Sequence, residues 1–156
     1  AAQNTFTAEA VLNSTTFNVP ANALVAGAVL RVTVRGIYGT TGTPSLQIRC
    51  RWGGVAGVLL GDSAAITTPS GAANRGWEVS FLIRVVSIGA TGTMEAQGWF
   101  QWSTAISTAQ QAEMENTAVI TVDTTAAKDL VLTATWSVSS VSNTIQVREY
   151  LLERVA

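Results

Sequence analysis

From Ser45 to Trp52 the chain reads Ser-Leu-Gln-Ile-Arg-Cys-Arg-Trp, with every second residue apolar. Successive side chains of a strand point to opposite faces, so this segment buries one face of a sheet and wets the other. The same alternation runs through Val29 to Tyr38, Trp77 to Ile88, Thr93 to Ser103, Leu130 to Val138 and Thr144 to Val155. Shorter stretches at Thr15 to Val19, Val55 to Leu60 and Thr117 to Val122 also read as strands. Turn signals separate them, among them Pro20-Ala21-Asn22, Gly39 to Pro44, Pro69 to Asn74 and Gly89 to Gly92. The expected fold class is all-β, an antiparallel two-sheet sandwich of jelly-roll type. Residues 16–156 form its single domain, and residues 1–15 are an N-terminal arm or an edge strand.

Four places depart from the pattern. Leu82 and Val86 fall on the polar parity of the longest strand, and Trp99 falls on the polar parity of the next. Together they predict an exposed apolar patch, of the kind that marks contact surfaces. In the last strand, Ile145 and Val147 share one parity and Tyr150 and Leu152 the other, which predicts a bulge near Glu149. Thr104 to Asn116 carries helical spacing only weakly and reads as a long loop or a single helical turn.

At 156 residues the chain is long enough for one domain with a full core. Its net charge of −1 gives no electrostatic case for nucleic acid. Charged residues make up only 12%, and every basic residue but Lys128 is arginine, a composition suited to protein interfaces. No run of about 18 apolar residues predicts a membrane span, and the first residues have no signal-peptide character. Asn13-Ser14-Thr15 spells a glycosylation sequon, with no secretory context to use it.

Chemistry has few places to start. Histidine is absent, which removes the commonest general base and metal ligand. Cys50 is the single cysteine and lies on the apolar parity, so it reads as a small buried hydrophobe. Trp52, Trp77, Trp102 and Trp136 also lie on apolar faces and read as core. Glu78 and Glu95 lie on neighbouring strands and are the one carboxylate pair that hydrolysis would require. Pairing with Arg84, Arg49 or Arg51 accounts for them more simply. Asp62, Asp123 and Asp129 read as turn acids. The chain is therefore expected to be no enzyme, with no catalytic residue, no cofactor and no metal.

Three segments carry a family resemblance: Phe17-Asn-Val-Pro-Ala-Asn-Ala-Leu-Val-Ala-Gly-Ala-Val-Leu-Arg-Val; Asn74-Arg-Gly-Trp-Glu; and the run of Val122-Asp-Thr-Thr, Leu132-Thr-Ala-Thr-Trp and Ser142-Asn-Thr-Ile. In order, they resemble the opening, the approach to the central strand and the closing strands of small β-domain virion proteins of tailed bacteriophages. Within that class the chain is most similar to a capsid decoration, or cement, protein. The resemblance implies a homotrimer on the outer capsid surface that binds the major capsid protein, with no nucleic acid and no membrane as partners. The contact residues expected on this reading are Phe6, Val11 and Leu12 of the arm, the Leu82, Val86 and Trp99 patch, and Tyr150 and Leu152. A receptor- or glycan-binding domain of a tail fibre or baseplate is the alternative.

Overall fold

The computed structural model describes residues 1–156, the side chains of Asn13 and Thr117 excepted. The sequon at Asn13 lies outside the described residues. Ten strands form: β1 (Ala10–Val19), β2 (Val29–Gly39), β3 (Ser45–Trp52), β4 (Val58–Asp62), β5 (Ile66–Thr67), β6 (Arg75–Ser87), β7 (Gly92–Ala105), β8 (Thr108–Val122), β9 (Lys128–Trp136) and β10 (Thr144–Arg154). No helix occurs among the described residues.

The strands pair antiparallel in the order β1-β9-β3-β4-β8-β7-β6-β2-β10, with β5 on the side of β3. This is one antiparallel sheet curled until its ends meet, nearly a closed barrel. Two seams are thin. Between β4 and β8 the register holds one pair, Asp62 opposite Glu115, supplemented by Asn116 donating its side-chain amide to Leu59 O at 3.2 Å. Between the two ends, Gln3 bridges to β10: Gln3 N donates to Ile145 O at 2.8 Å and Ile145 N donates to Gln3 O at 2.9 Å. The ladders β10–β2, β2–β6, β6–β7, β7–β8 and β3–β9 are long, so the strands on either side of the two seams pair well and share one interior.

That interior is filled from the apolar parity of nearly every strand. Trp52, Trp77, Trp102, Trp136 and Cys50 are all buried, as their alternation predicts. Phe81 of β6 reaches across the barrel because two positions lack a side chain. A Cβ on Gly61 of β4 would fall 2.5 Å from its ring, and one on Gly98 of β7 would fall 2.7 Å from it. Such approaches are open only to glycine.

One sequence expectation changes here. Thr104 to Asn116 is neither loop nor helical turn; it is the tip of a long β7–β8 hairpin, turning at Ile106 and Ser107, with Ser107 at φ 60°. Gln111, Glu113 and Glu115 alternate with Ala112 and Met114, and Met114 is fully buried, so period 2 prevails over the weak helical spacing. Of the two forms expected for the N-terminal segment, arm or edge strand, residues from Ala10 onward take the second and pair with β9. The bulge expected near Glu149 is present, as the β2–β10 register shifts between Val147 and Glu149.

Candidate functional site

The outer side chains of β6, β7 and β8 stand in rows across the sheet. Glu78 faces Gln101, which faces Gln111; Ser80 faces Trp99, which faces Glu113; Leu82 faces Gln97, which faces Glu115; Arg84 faces Glu95. Trp99 is 42% exposed in the middle of this face, and Leu82 on the neighbouring row is 41% exposed. Val86 lies further along β6 and is also exposed. Trp99 and Leu82 stand in neighbouring rows of adjacent strands, and Val86 lies two rows beyond Leu82. Their rows are filled by serine, glutamine and charged side chains, because antiparallel pairing sets partners by register and not by polarity.

Most charges on this face neutralise one another. Arg84 donates to Glu95 at 3.2 Å, Arg35 donates to Glu78 at 2.9 Å with Glu149 at 3.6 Å on its other side, and Arg31 donates to Glu153 at 2.9 Å. The expected pairing with Arg84, Arg49 or Arg51 holds for Glu95, which meets Arg84, and is corrected for Glu78, to which β2 supplies Arg35 instead. Glu78 and Glu95 also stand six residue steps apart along the strands, about 20 Å. That is too far for two carboxylates to flank one glycosidic bond.

Two acids are left over. Among the described residues every other aspartate and glutamate has an ion pair or a hydrogen bond, while Glu113 and Glu115 have neither. They occupy consecutive outward positions on β8, and both are exposed. With Gln97, Gly98 and Trp99 they line one depression of about 60 Å³. Shallow hollows continue it on both sides, one along Glu78, Ser80 and Gln101, the other along Leu82, Arg84, Glu95 and Asn116. The sequence reading missed both acids because it placed them in a loop; the signal was their alternation with Ala112 and Met114.

The remaining expected contact residues lie elsewhere. Leu12 is fully buried in the core and offers no contact surface, and Phe6 packs partly buried against that core. Val11 is half-buried opposite Thr133. Tyr150 and Leu152 pack against the core as well. The bulge resets the parity of β10, so the residues that looked out of phase are the ones turned inward.

The polar face of β1, β9, β3 and β4 is organised differently. Glu9 reaches over β9 to the two arginines of β3. Arg51 donates to both of its carboxylate oxygens, one of them by Nη2 at 2.8 Å, and Arg49 Nη1 donates to it at 3.2 Å. The hydroxyl of buried Thr133 also donates to Glu9. Arg49 Nε continues to Asp62 at 3.0 Å, which also accepts from Gln47 at 2.8 Å and from Ala64 N at 2.8 Å. Burial alone would push the Glu9 carboxyl up, but the bonds from Arg51 and Thr133 and the two guanidinium charges outweigh it and hold the group below the usual glutamate range. The network is a fastening, with its donors and acceptors facing one another.

No group of histidine, cysteine, aspartate and glutamate able to hold a metal ion occurs among the described residues. Burial pushes the Cys50 thiol up to about 12, far from a reactive thiolate. What the Trp99 face can do chemically is bind: a flat indole, amide donors and acceptors, and two uncompensated carboxylates on a rigid sheet. No family model, curated protein or solved structure matches this chain. The class defined by fold and site is thus a nearly closed antiparallel β-barrel with one polar face built for internal pairing and another that leaves groups free.

Proposed function

We propose that this chain is a non-enzymatic structural protein of a virion, which binds the outside of a tailed-bacteriophage capsid and stabilises it by clamping neighbouring capsomers. The observation that carries the reading is the Trp99 face. Tryptophan is among the side chains that most often dominate protein interfaces, and here it is offered on the longest and best-paired strands. The thin β4–β8 seam and the single Gln3 bridge to β10 are compatible with the jelly-roll-like form expected of such domains. Three copies joined as a homotrimer, each contacting the major capsid protein, gain avidity over one. The protein then sits on the outer capsid surface.

The test is a comparison of particles. Emptied capsids incubated with the protein should gain regular density on their outer surface and resist heat or chelation better than bare shells. Light scattering of the free protein should give three chains. A monomer that leaves capsids undecorated overturns the proposal. The second reading, a receptor- or glycan-binding domain of a tail fibre or baseplate, is favoured by one specific feature: Ser80, Gln97 and Gln101 surround an exposed indole on which a sugar ring can stack. Clear hits on a glycan array would move the assignment there.

A further inference from the structure

We propose that the depression around Trp99 is a cation site, which docks an arginine-bearing segment of a partner protein with the guanidinium over the indole and between Glu113 and Glu115. The inference rests on the reading of this chain as a protein that binds another protein, and it names the chemistry of that partner.

The argument is one of charge complementarity. The chain satisfies its acids with care: Glu9, Asp62, Glu78, Glu95, Glu149 and Glu153 all have an arginine partner. Against that background the two unpaired carboxylates are not scattered over the surface. Glu113 stands directly opposite Trp99 and Glu115 directly opposite Gln97, in neighbouring rows about 7 Å apart. Asp62 faces Glu115 across the β4–β8 seam, but Arg49 and Gln47 already compensate it. The excess negative charge therefore gathers beside the one tryptophan that is not buried.

A cation answers every part of this arrangement. The face of an indole attracts a positive charge through its ring quadrupole, and tryptophan does so best of the aromatic side chains. A guanidinium is planar, stacks on such a face and still directs N–H groups sideways to carboxylates. A neutral sugar would stack on Trp99 too, but covering Glu113 and Glu115 with it strips water from two charges without supplying a counter-charge. Phosphate-rich or other anionic surfaces would be repelled.

The test follows the indole N–H of Trp99 by two-dimensional NMR of the full ¹⁵N-labelled chain. An arginine-rich nonapeptide and a neutral hexasaccharide serve as separate probes. The peptide should move the Trp99 signal saturably, with weaker binding at higher salt. The double variant Glu113→Gln, Glu115→Gln should weaken the peptide about tenfold or more. A fold check is built in, because the buried Trp52, Trp77, Trp102 and Trp136 signals should stay in place. The proposal is overturned if the double variant binds the peptide as well as the parent does, if the saccharide alone moves Trp99, or if neither probe does. It is also overturned if the free protein is an oligomer that the double variant dissociates, since the occupant is then a second copy of this chain. Capsid binding by the parent and the double variant separates the two levels. Equal decoration by both sinks the cation site and leaves the virion reading intact, whereas peptide binding without any decoration does the reverse.

Discussion

The two halves of this barrel use the same residue types to opposite ends. On the half made of β1, β9, β3 and β4, arginine and glutamate are drawn into one network whose side chains are only 17–26% exposed. On the half made of β8, β7, β6, β2 and β10, they stand as separate cross-strand pairs that are 35–60% exposed. The first arrangement ties the N-terminal segment to β3 across β9, through Glu9 and the two arginines, beside the β1–β9 ladder. The second costs and contributes little, and it leaves Trp99, Glu113 and Glu115 open to solvent. A charged face is therefore not informative as such; what separates fastening from binding is whether its charges are already answered.

The largest expected effect removes what the halves share. Phe81→Ala should destabilise the protein by about 3–5 kcal/mol in a denaturant titration, with both halves unfolding together. Independent unfolding of the two halves, read as two transitions, would break the comparison by showing that each carries its own core. Next comes the fastening. Glu9→Gln should cost about 2–3 kcal/mol, because it leaves two partly buried guanidinium groups short of their acceptor.

That loss has a sign with pH. The Glu9 carboxyl titrates lower in the folded chain than in the unfolded one. Its contribution is therefore complete above the ordinary glutamate range and disappears as pH falls through the lower folded value. Glu9→Gln should flatten this part of the acid-stability curve, and an unchanged slope would show that the network is not a stabilising one.

On the other half, Arg84→Ala and Glu95→Ala should each change stability by no more than about 1 kcal/mol, with a coupling in the double-mutant cycle below that. A coupling as large as that of Glu9 with Arg51 would erase the distinction between the faces. A smaller stability effect than at Phe81 is expected at Trp99→Ala, because the residue is 42% exposed and lies outside the core, together with loss of partner binding. Finally, Cys50 should stay inert to a thiol reagent at pH 8 until the protein unfolds, since its thiol is buried and pushed up to about 12.

Much of the fold was legible because strands write their burial in a short local code. The inward parity of Ser45–Trp52, Val29–Gly39 and Arg75–Ser87 is what the structure shows, and so is the slip near Glu149. The code failed where its signal was weak. Between Thr104 and Asn116 only Met114 is a large apolar residue with a core position, so nothing local distinguished a hairpin tip from a loop. The candidate site was half legible. Trp99 and Leu82 announced themselves by parity, but Glu113 and Glu115 were hidden in that misread stretch. Leu12 looked like a contact residue because it was assigned to an arm, and Tyr150 and Leu152 did because a bulge shifts phase without naming which side is buried.

By itself, then, the sequence determined the all-β class, most of the strands with their inward-facing residues, and the absence of histidine, since each depends on composition or on a period of two residues. Only the tertiary structure decided that the strands curl into one nearly closed sheet, that Arg35 and not Arg84 answers Glu78, that Glu9 locks onto Arg49 and Arg51, and that two acids remain unanswered beside Trp99. Those are matters of register and of which strands become neighbours. Pairing partners are set by the long-range fit of a shared core, centred on Phe81 between Gly61 and Gly98, and no local pattern encodes them.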